Sequence, residues 1–164
     1  MEKHVISALV ENHSGVLNRI SGLFSRRGYN IDSLSVGETE TPSISRMTIV
    51  TKADKQMQEQ IKKQLNKLIE VIKIVELNET SAVYRELALI KVGANHENRA
   101  EIIEIANIFR AHIVDVSKEV LILEATGDQG KIKALTEMLQ PYGIKEIVRT
   151  GLTALQRGEN ELKN

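Results

Sequence analysis

Apolar positions in the first half of the chain switch between two periods. From His4 to Val10 they form a short run, HVISALV, which predicts a largely buried strand. Asn12-His13-Ser14-Gly15 interrupts it with turn and N-cap residues. Beyond the loop, Val16, Leu17, Ile20, Leu23 and Phe24 share one helical face, while Asn18, Arg19, Ser21 and Arg26 fall elsewhere. Gly28 suits the left-handed position just past a helix end, from which Tyr29 can pack back on Phe24. Asn30 to Glu38 then reads as a strand with Leu34 and Val36 on one face. Thr39 to Ser43 is a turn and Ile44 to Lys52 the returning strand, so the pair is a hairpin. Asp54 is placed to cap a helix with the stripe Met57, Ile61, Leu65 and Leu68, and Val71 to Leu77 closes the unit as a strand. The order β-α-β-β-α-β is the split βαβ, or ferredoxin-like, arrangement.

The same order then repeats. Asn78-Glu79-Thr80-Ser81 is a polar linker, and Tyr84 to Ala94 a strand. Asn98 to Arg110 predicts a helix carrying Ile102, Ile103, Ala106 and Phe109. Ile113 to Ser117 and Val120 to Thr126 form a hairpin around Lys118-Glu119. Lys131 to Leu139 is a helix with Ile132, Leu135, Met138 and Leu139, and Ile144 to Leu155 the last strand. A period of about eighty residues is too long for a solenoid. The expected fold class is therefore α+β, two tandem ferredoxin-like βαββαβ domains, with antiparallel sheets and helices on one face. The domains are placed at residues 1–77 and 83–164, joined by a linker at 78–82. The polar tail from Gln156 is expected to fray.

Composition narrows the function classes. The chain has 164 residues, 41% hydrophobic and only 3% aromatic, so its core is aliphatic. Lys plus Arg and Asp plus Glu number 22 each, and a zero formal charge argues against a nucleic-acid or anionic-membrane partner. The absence of cysteine removes a disulfide framework and a thiol nucleophile. No apolar run approaches the ~20 residues that span a bilayer, nor does the N-terminal stretch resemble a secretion signal, so a cytoplasmic protein is expected.

Catalytic signatures fail in turn. His4, His13, His96 and His112 lack the spacing of a helical zinc site, and there is no G-x-S-x-G elbow. Gly127-Asp128-Gln129-Gly130-Lys131 lacks Walker A spacing and reads as a helix cap. Glu59 and Glu70 read as carboxylates on solvated helix faces. Neither a catalytic residue nor a metal ligand set is assigned. One loop stands out. Asn12-His13-Ser14-Gly15 opens a helix, whose N-terminal N–H groups and partial positive charge suit a carboxylate. Gly15 admits close approach to the backbone, and Asn12 offers both donor and acceptor, as a zwitterion requires. The same residues also fit a plain N-cap at Asn12 or Ser14 with a first-turn glycine, and spacing alone does not separate the two readings.

The stretch from Glu11 to Val50, ENHSGVLNRISGLFSRRGYNIDSLSVGETETPSISRMTIV, resembles the ACT domain of acetolactate (acetohydroxyacid) synthase small subunits, marked by N-x-x-G-[AV]-L, GLF-x-RRG-[YF]-NI and SRMTI. The resemblance continues through EQIKKQLNKLIEVIKIVEL, FRAHIVDVS and RTGLTALQRG. It implies a non-catalytic regulatory subunit of branched-chain amino-acid biosynthesis, paired through its ACT domain into a homodimer. The implied effector, valine (or leucine or isoleucine), would lie between the two copies, held by Asn12, Gly15, Val16 and Leu17 of one and by Asn30 and Ile31 of the other. The implied partner is a large catalytic subunit carrying thiamine diphosphate, FAD and magnesium, with no cofactor on this chain. The second half departs from the ligand pattern. It has Asn95-His96-Glu97-Asn98 at the loop, and Arg110-Ala111-His112 lacks a glycine equivalent to Gly28, so no effector site is expected there. Three rivals share this fold. A different ACT-repeat sensor is the nearest; an acylphosphatase-like enzyme needs an arginine in the first loop, and an RNA-recognition module needs strand aromatics, both of which are wanting.

Overall fold

Strand and helix patterns in the first half condense into β1 (Glu2–Glu11), α1 (Val16–Arg26), β2 (Ser33–Glu38), β3 (Ile44–Ala53), α2 (Lys55–Asn66) and β4 (Val71–Leu77). The second half gives β5 (Ala82–Gly93), α3 (Arg99–Ile108), β6 (His112–Val116), β7 (Val120–Gly127), α4 (Gln129–Leu139), β8 (Ile144–Arg149) and β9 (Thr153–Gln156). These come from a computed structural model in which residues 1–163 are described; the last position of the polar tail lies outside the described residues. The fold is α+β, two ferredoxin-like units with antiparallel sheets ordered β2-β3-β1-β4 and β6-β7-β5-β8.

In the first unit β1 lies between β3 and β4, with Ile6 opposite Ile49 and Ala8 opposite Met47. Ile6, Ala8 and Val10 face a core closed by Val16, Ile20, Leu23 and Phe24 of α1 and Ile61 and Leu65 of α2. Alternate residues point to the opposite face, and Val5 and Ser7 there are buried as well, at 2% and 0% exposure. That second burial explains why Val5 and Leu9 are apolar beside Ile6, Ala8 and Val10.

The cover on that face comes from the start of β5 and from the far end of the chain. Val5, Val50 and Leu77 pack with Ala82, Tyr84, Leu152 and Ala154. Residues 83–164, expected as one domain, divide: Leu152 to Lys163 join Met1–Tyr84 in one unit, and Arg85–Gly151 form the other. The expected last strand from Ile144 to Leu155 is likewise two strands, because Gly151 turns the backbone at φ +80 between β8 and β9. Nor is the tail simply frayed. Leu162 is buried, its carbonyl receives Arg46 Nη2 at 3.5 Å, and Lys73 Nζ donates to the Lys163 carbonyl at 3.2 Å.

The second unit has an aliphatic core of Ala88, Ile90 and Val92 from β5, Leu121, Leu123 and Ala125 from β7, and Ile102, Ile105, Ile132, Leu135 and Leu139 from the helices. Ile103 and Met138, expected in the stripes, are exposed at 38% and 50%; Ile105 completes the α3 face instead. Glu86, at 2% exposure, is paired by two nitrogens of Arg149 on the neighbouring β8, one at 2.9 Å. A buried carboxylate needs such a partner to offset its desolvation.

Candidate functional site

The loop that ends β1 is pinned from the hairpin side. Asn12 donates its backbone N–H to the Ser43 carbonyl at 2.9 Å and its side-chain amide to the Pro42 carbonyl at 2.8 Å. Asn12 is therefore not a cap, and neither is Ser14. The N-cap of α1 is Gly15, left-handed at φ +89, and no side chain caps the helix. By contrast Asp54 accepts from Met57 N at the start of α2, and Asp128 from Lys131 N at the start of α4. A Cβ at Gly15 would meet nothing within 4 Å, so the glycine serves backbone conformation and an open approach. Val16 is buried in the core at 4% exposure and can meet a ligand only through its main chain, whereas Leu17 is 47% exposed.

Asn30 and Ile31 sit at the other end of α1, past a cap that matches the sequence expectation. Gly28 is left-handed at φ +69, and the N–H groups of Gly28 and Tyr29 donate to the Ser25 and Phe24 carbonyls. The Tyr29 ring stands edge-on to Phe24, with centroids 6.3 Å apart. The Asn30 carbonyl accepts from the Thr51 hydroxyl at 2.6 Å, and its side chain donates to Asp32 at 2.5 Å. Ile31 packs on the first-unit core. An eleven-residue helix rises roughly 16 Å, so α1 separates Asn30 and Ile31 from the Asn12–Leu17 set within one chain. Asn12, Gly15, Val16 and Leu17 are neighbours in the loop and first turn of α1, Asn30 and Ile31 lie a helix length away, and of the six Gly15 alone lines a depression beside the loop.

An open depression of about 670 Å³ adjoins the loop, lined by His13, Ser14, Gly15, Arg19, Leu68 and Glu70 among others. His13 Nε2 bonds Glu11 at 2.7 Å, and that bond, with a contact from Nδ1 to the Ser14 carbonyl, raises the His13 pKa. Glu70 corrects the sequence reading. It follows α2 rather than lying on it, its side chain is only 16% exposed, and it pairs with Arg19 at 3.0 Å. No local pattern marks this pair, whose members are far apart in the chain. A second depression, about 730 Å³, lies at the other end of β1 around His4, Gln58, Glu76 and Tyr84. The polar groups at its centre are already engaged. His4 Nδ1 bonds Glu76 at 2.8 Å, Gln58 and Lys62 also reach Glu76, and the Tyr84 hydroxyl donates to the Leu77 carbonyl. The smaller depression is the better candidate because an uncapped helix start opens beside it.

In the second unit the corresponding loop uses its donors internally. Asn95 Oδ1 accepts from the N–H groups of Glu97 and Asn98 at 2.9 and 3.1 Å. Among the described residues no group of three or more His, Cys, Asp or Glu side chains is placed to hold a metal, and no helix is long and apolar enough to cross a membrane.

Comparison with known proteins places both halves. A family model described as an AHAS small subunit-like ACT domain matches residues 6–73, and one described as the small subunit of acetolactate synthase matches 85–158. The chain is 56% identical to the acetolactate synthase small subunit of Mycobacterium bovis, over 94% of this chain and 92% of that one. It is 51% identical to the Bacillus subtilis acetolactate synthase small subunit, over 97% and 93%. The crystal structure of the Thermotoga maritima acetolactate synthase small subunit superposes with a TM-score of 0.91 at 42% identity, covering 98% of this chain and all of that one.

Proposed function

Because the chain belongs to the acetolactate synthase small-subunit family, we propose that it regulates that enzyme through a branched-chain amino acid bound where α1 begins. The subunit is non-catalytic on its own. It activates a large catalytic subunit, to which thiamine diphosphate, FAD and magnesium belong, and confers feedback inhibition on branched-chain amino-acid synthesis. Valine is the first candidate effector; leucine and isoleucine differ from it by a methylene, worth only about 1–3 kcal/mol in a pocket.

The uncapped, glycine-led start of α1 carries this reading. The main-chain N–H groups of Val16 and Leu17 would receive the effector carboxylate, with Gly15 keeping the approach open. Asn12 stands beside them, and the exposed Leu17 offers apolar contact for the branched side chain. Asn30 and Ile31 lie a helix length away, so their contribution comes from the second copy of a homodimer. An effector that bridges two copies binds one arrangement of the dimer better than another, as allosteric control requires. A coupling of about 1–3 kcal/mol would change activity several-fold to about a hundredfold.

A thermal melt against each free amino acid tests the proposal. Valine at about a hundred times its dissociation constant adds roughly 2.7 kcal/mol of stability and raises the midpoint visibly. Gly15→Asp should abolish the shift by setting a like charge against the effector carboxylate, while Gly15→Asn, equally strained at positive φ but neutral, should retain most of it. Asn30→Ala should weaken binding from the opposing copy. A full valine shift in Gly15→Asp would refute the site, and an unaltered affinity in Asn30→Ala would remove the second copy from it.

A further inference from the structure

The Asn12–Gly15 loop is held at both ends by one residue, Glu70, which also lines the depression beside it. Glu70 accepts the Glu11 N–H on its main-chain carbonyl at 2.9 Å, immediately before the loop. Its carboxylate Oε1 binds Arg19 Nη1 at 3.0 Å, immediately beyond it. Arg19 in turn donates its own N–H to the Gly15 carbonyl at 2.9 Å, closing the first turn of α1. The span from Glu11 to Arg19 is thus fastened to a single point on the turn between α2 and β4. The hairpin carbonyls of Pro42 and Ser43 hold only Asn12.

The pair is also unlike an ordinary surface ion pair, which contributes little. The Glu70 side chain is 16% exposed, and its second oxygen, Oε2, is buried without a hydrogen-bond partner. Arg19 therefore carries most of the compensation for a largely desolvated carboxylate. A carboxylate so placed resists losing that partner, because an unpaired buried charge is costly. The constraint on Arg19 is correspondingly firm, and through it so is the placement of Gly15 and of the N–H groups that follow.

We propose that Glu70 and Arg19 are positioning residues for the effector loop: they fix the left-handed Gly15 and the start of α1 in the geometry that receives an amino-acid carboxylate. This rests on the effector site proposed above. The two residues act through the loop, and effector affinity depends on them in the way it depends on a correctly aimed helix terminus. Arg19 reaches Glu70 through a single nitrogen, so a lysine can substitute for it where alanine cannot.

The test is L-valine binding by calorimetry to the full-length wild type, Arg19→Ala, Arg19→Lys, Glu70→Gln and Gly15→Asp, each well below its own melting point. Arg19→Ala and Glu70→Gln should each weaken valine about tenfold, and Arg19→Lys should recover affinity to within about threefold of wild type. In the double variant Arg19→Ala with Glu70→Gln the buried charge is gone, so its melting point should lie above that of Arg19→Ala alone while affinity stays low. A mere fold defect would instead return affinity along with stability. Wild-type affinity in both single variants, or no recovery with lysine, overturns the positioning role. Loss of valine binding in Gly15→Asp together with wild-type behaviour in the Arg19 and Glu70 variants would leave the effector site standing and remove only this inference. A wild type that binds no valine overturns both.

Discussion

At the scale of single residues, charge in the loop that follows β1 is set by neighbours rather than by burial. His13 is exposed, and its pKa is raised first by the hydrogen bond to Glu11 and next by the Ser14 carbonyl. The sign follows from linkage. A folded-state value above the ordinary 6.5 means the pair contributes fully below that pH. The contribution fades as pH rises from there through the folded value. An NMR titration of the His13 ring should give a midpoint above 6.5 in the wild type and one closer to 6.5 in Glu11→Gln. An identical midpoint in the two proteins would show that the bond does not persist in solution. Asn12 and Gly15 could be singled out from sequence because turn chemistry is local. Glu70 could not, since its role depends on a tertiary partner and its own neighbourhood, KLIEVIK, gives no sign that the carboxylate is enclosed.

Among the elements, the two units end their first helices with the same hydrogen-bond motif but different residues. After α1 the left-handed residue is Gly28. After α3 it is Arg110, at φ +53, with the Arg110 and Ala111 N–H groups donating to the Asn107 and Ala106 carbonyls. A side chain in the left-handed region costs about 1–2 kcal/mol, and a glycine gives back roughly 0.5–1 kcal/mol through the freedom of the unfolded chain. Gly28→Ala, whose Cβ would meet nothing within 4 Å, should then destabilise by roughly 0.5–1 kcal/mol. Arg110→Gly should stabilise by about the same amount. Urea denaturation of the two variants checks both signs, and a loss of stability in Arg110→Gly would mean that its side chain contributes more than its backbone costs. The first of these ends was legible, since Gly28, Tyr29 and Phe24 stand at the spacing such a cap requires. The second was not, because the sequence signal for this cap is glycine and the chain there has none. The hairpins and the Asp54 cap were legible for the same local reason as Gly28. The break at Gly151 is hidden in the sequence because apolar residues continue on both sides of it, from Ile147 and Val148 to Leu152.

For the whole molecule, the decisive feature is that the first unit is not contiguous in sequence. Strand β1 carries apolar side chains on both faces and so needs cover on the side away from its helices. Ala82 and Tyr84 supply part of that cover, and the rest, Leu152 and Ala154, arrives only after the chain has passed through the entire second unit. Leu152, fully buried, is the anchor. Its N–H donates to Ser33 Oγ at 2.8 Å and its carbonyl accepts from Ser35 Oγ at 3.1 Å, so both its polar groups are fixed on β2 while its side chain packs with Val5, Val50 and Leu77. A helical pattern or a strand alternation cannot reveal such a return, because periodicity reports which face of an element is buried and not what buries it. Leu152→Ala should therefore cost about 2–4 kcal/mol, the usual range for a buried leucine, and the cost should fall on the distant half of the sequence. Native-state hydrogen exchange reads where it falls, since amides in one cooperative region lose protection together. Protection should drop across β1, β3 and β4 while the amides of β5 from Leu87 onward, with β7 and β8, keep theirs. Equal losses in the two sheets would mean that the units unfold as one. Unchanged protection in β1 would mean that the segment from Leu152 onward covers the sheet without stabilising it.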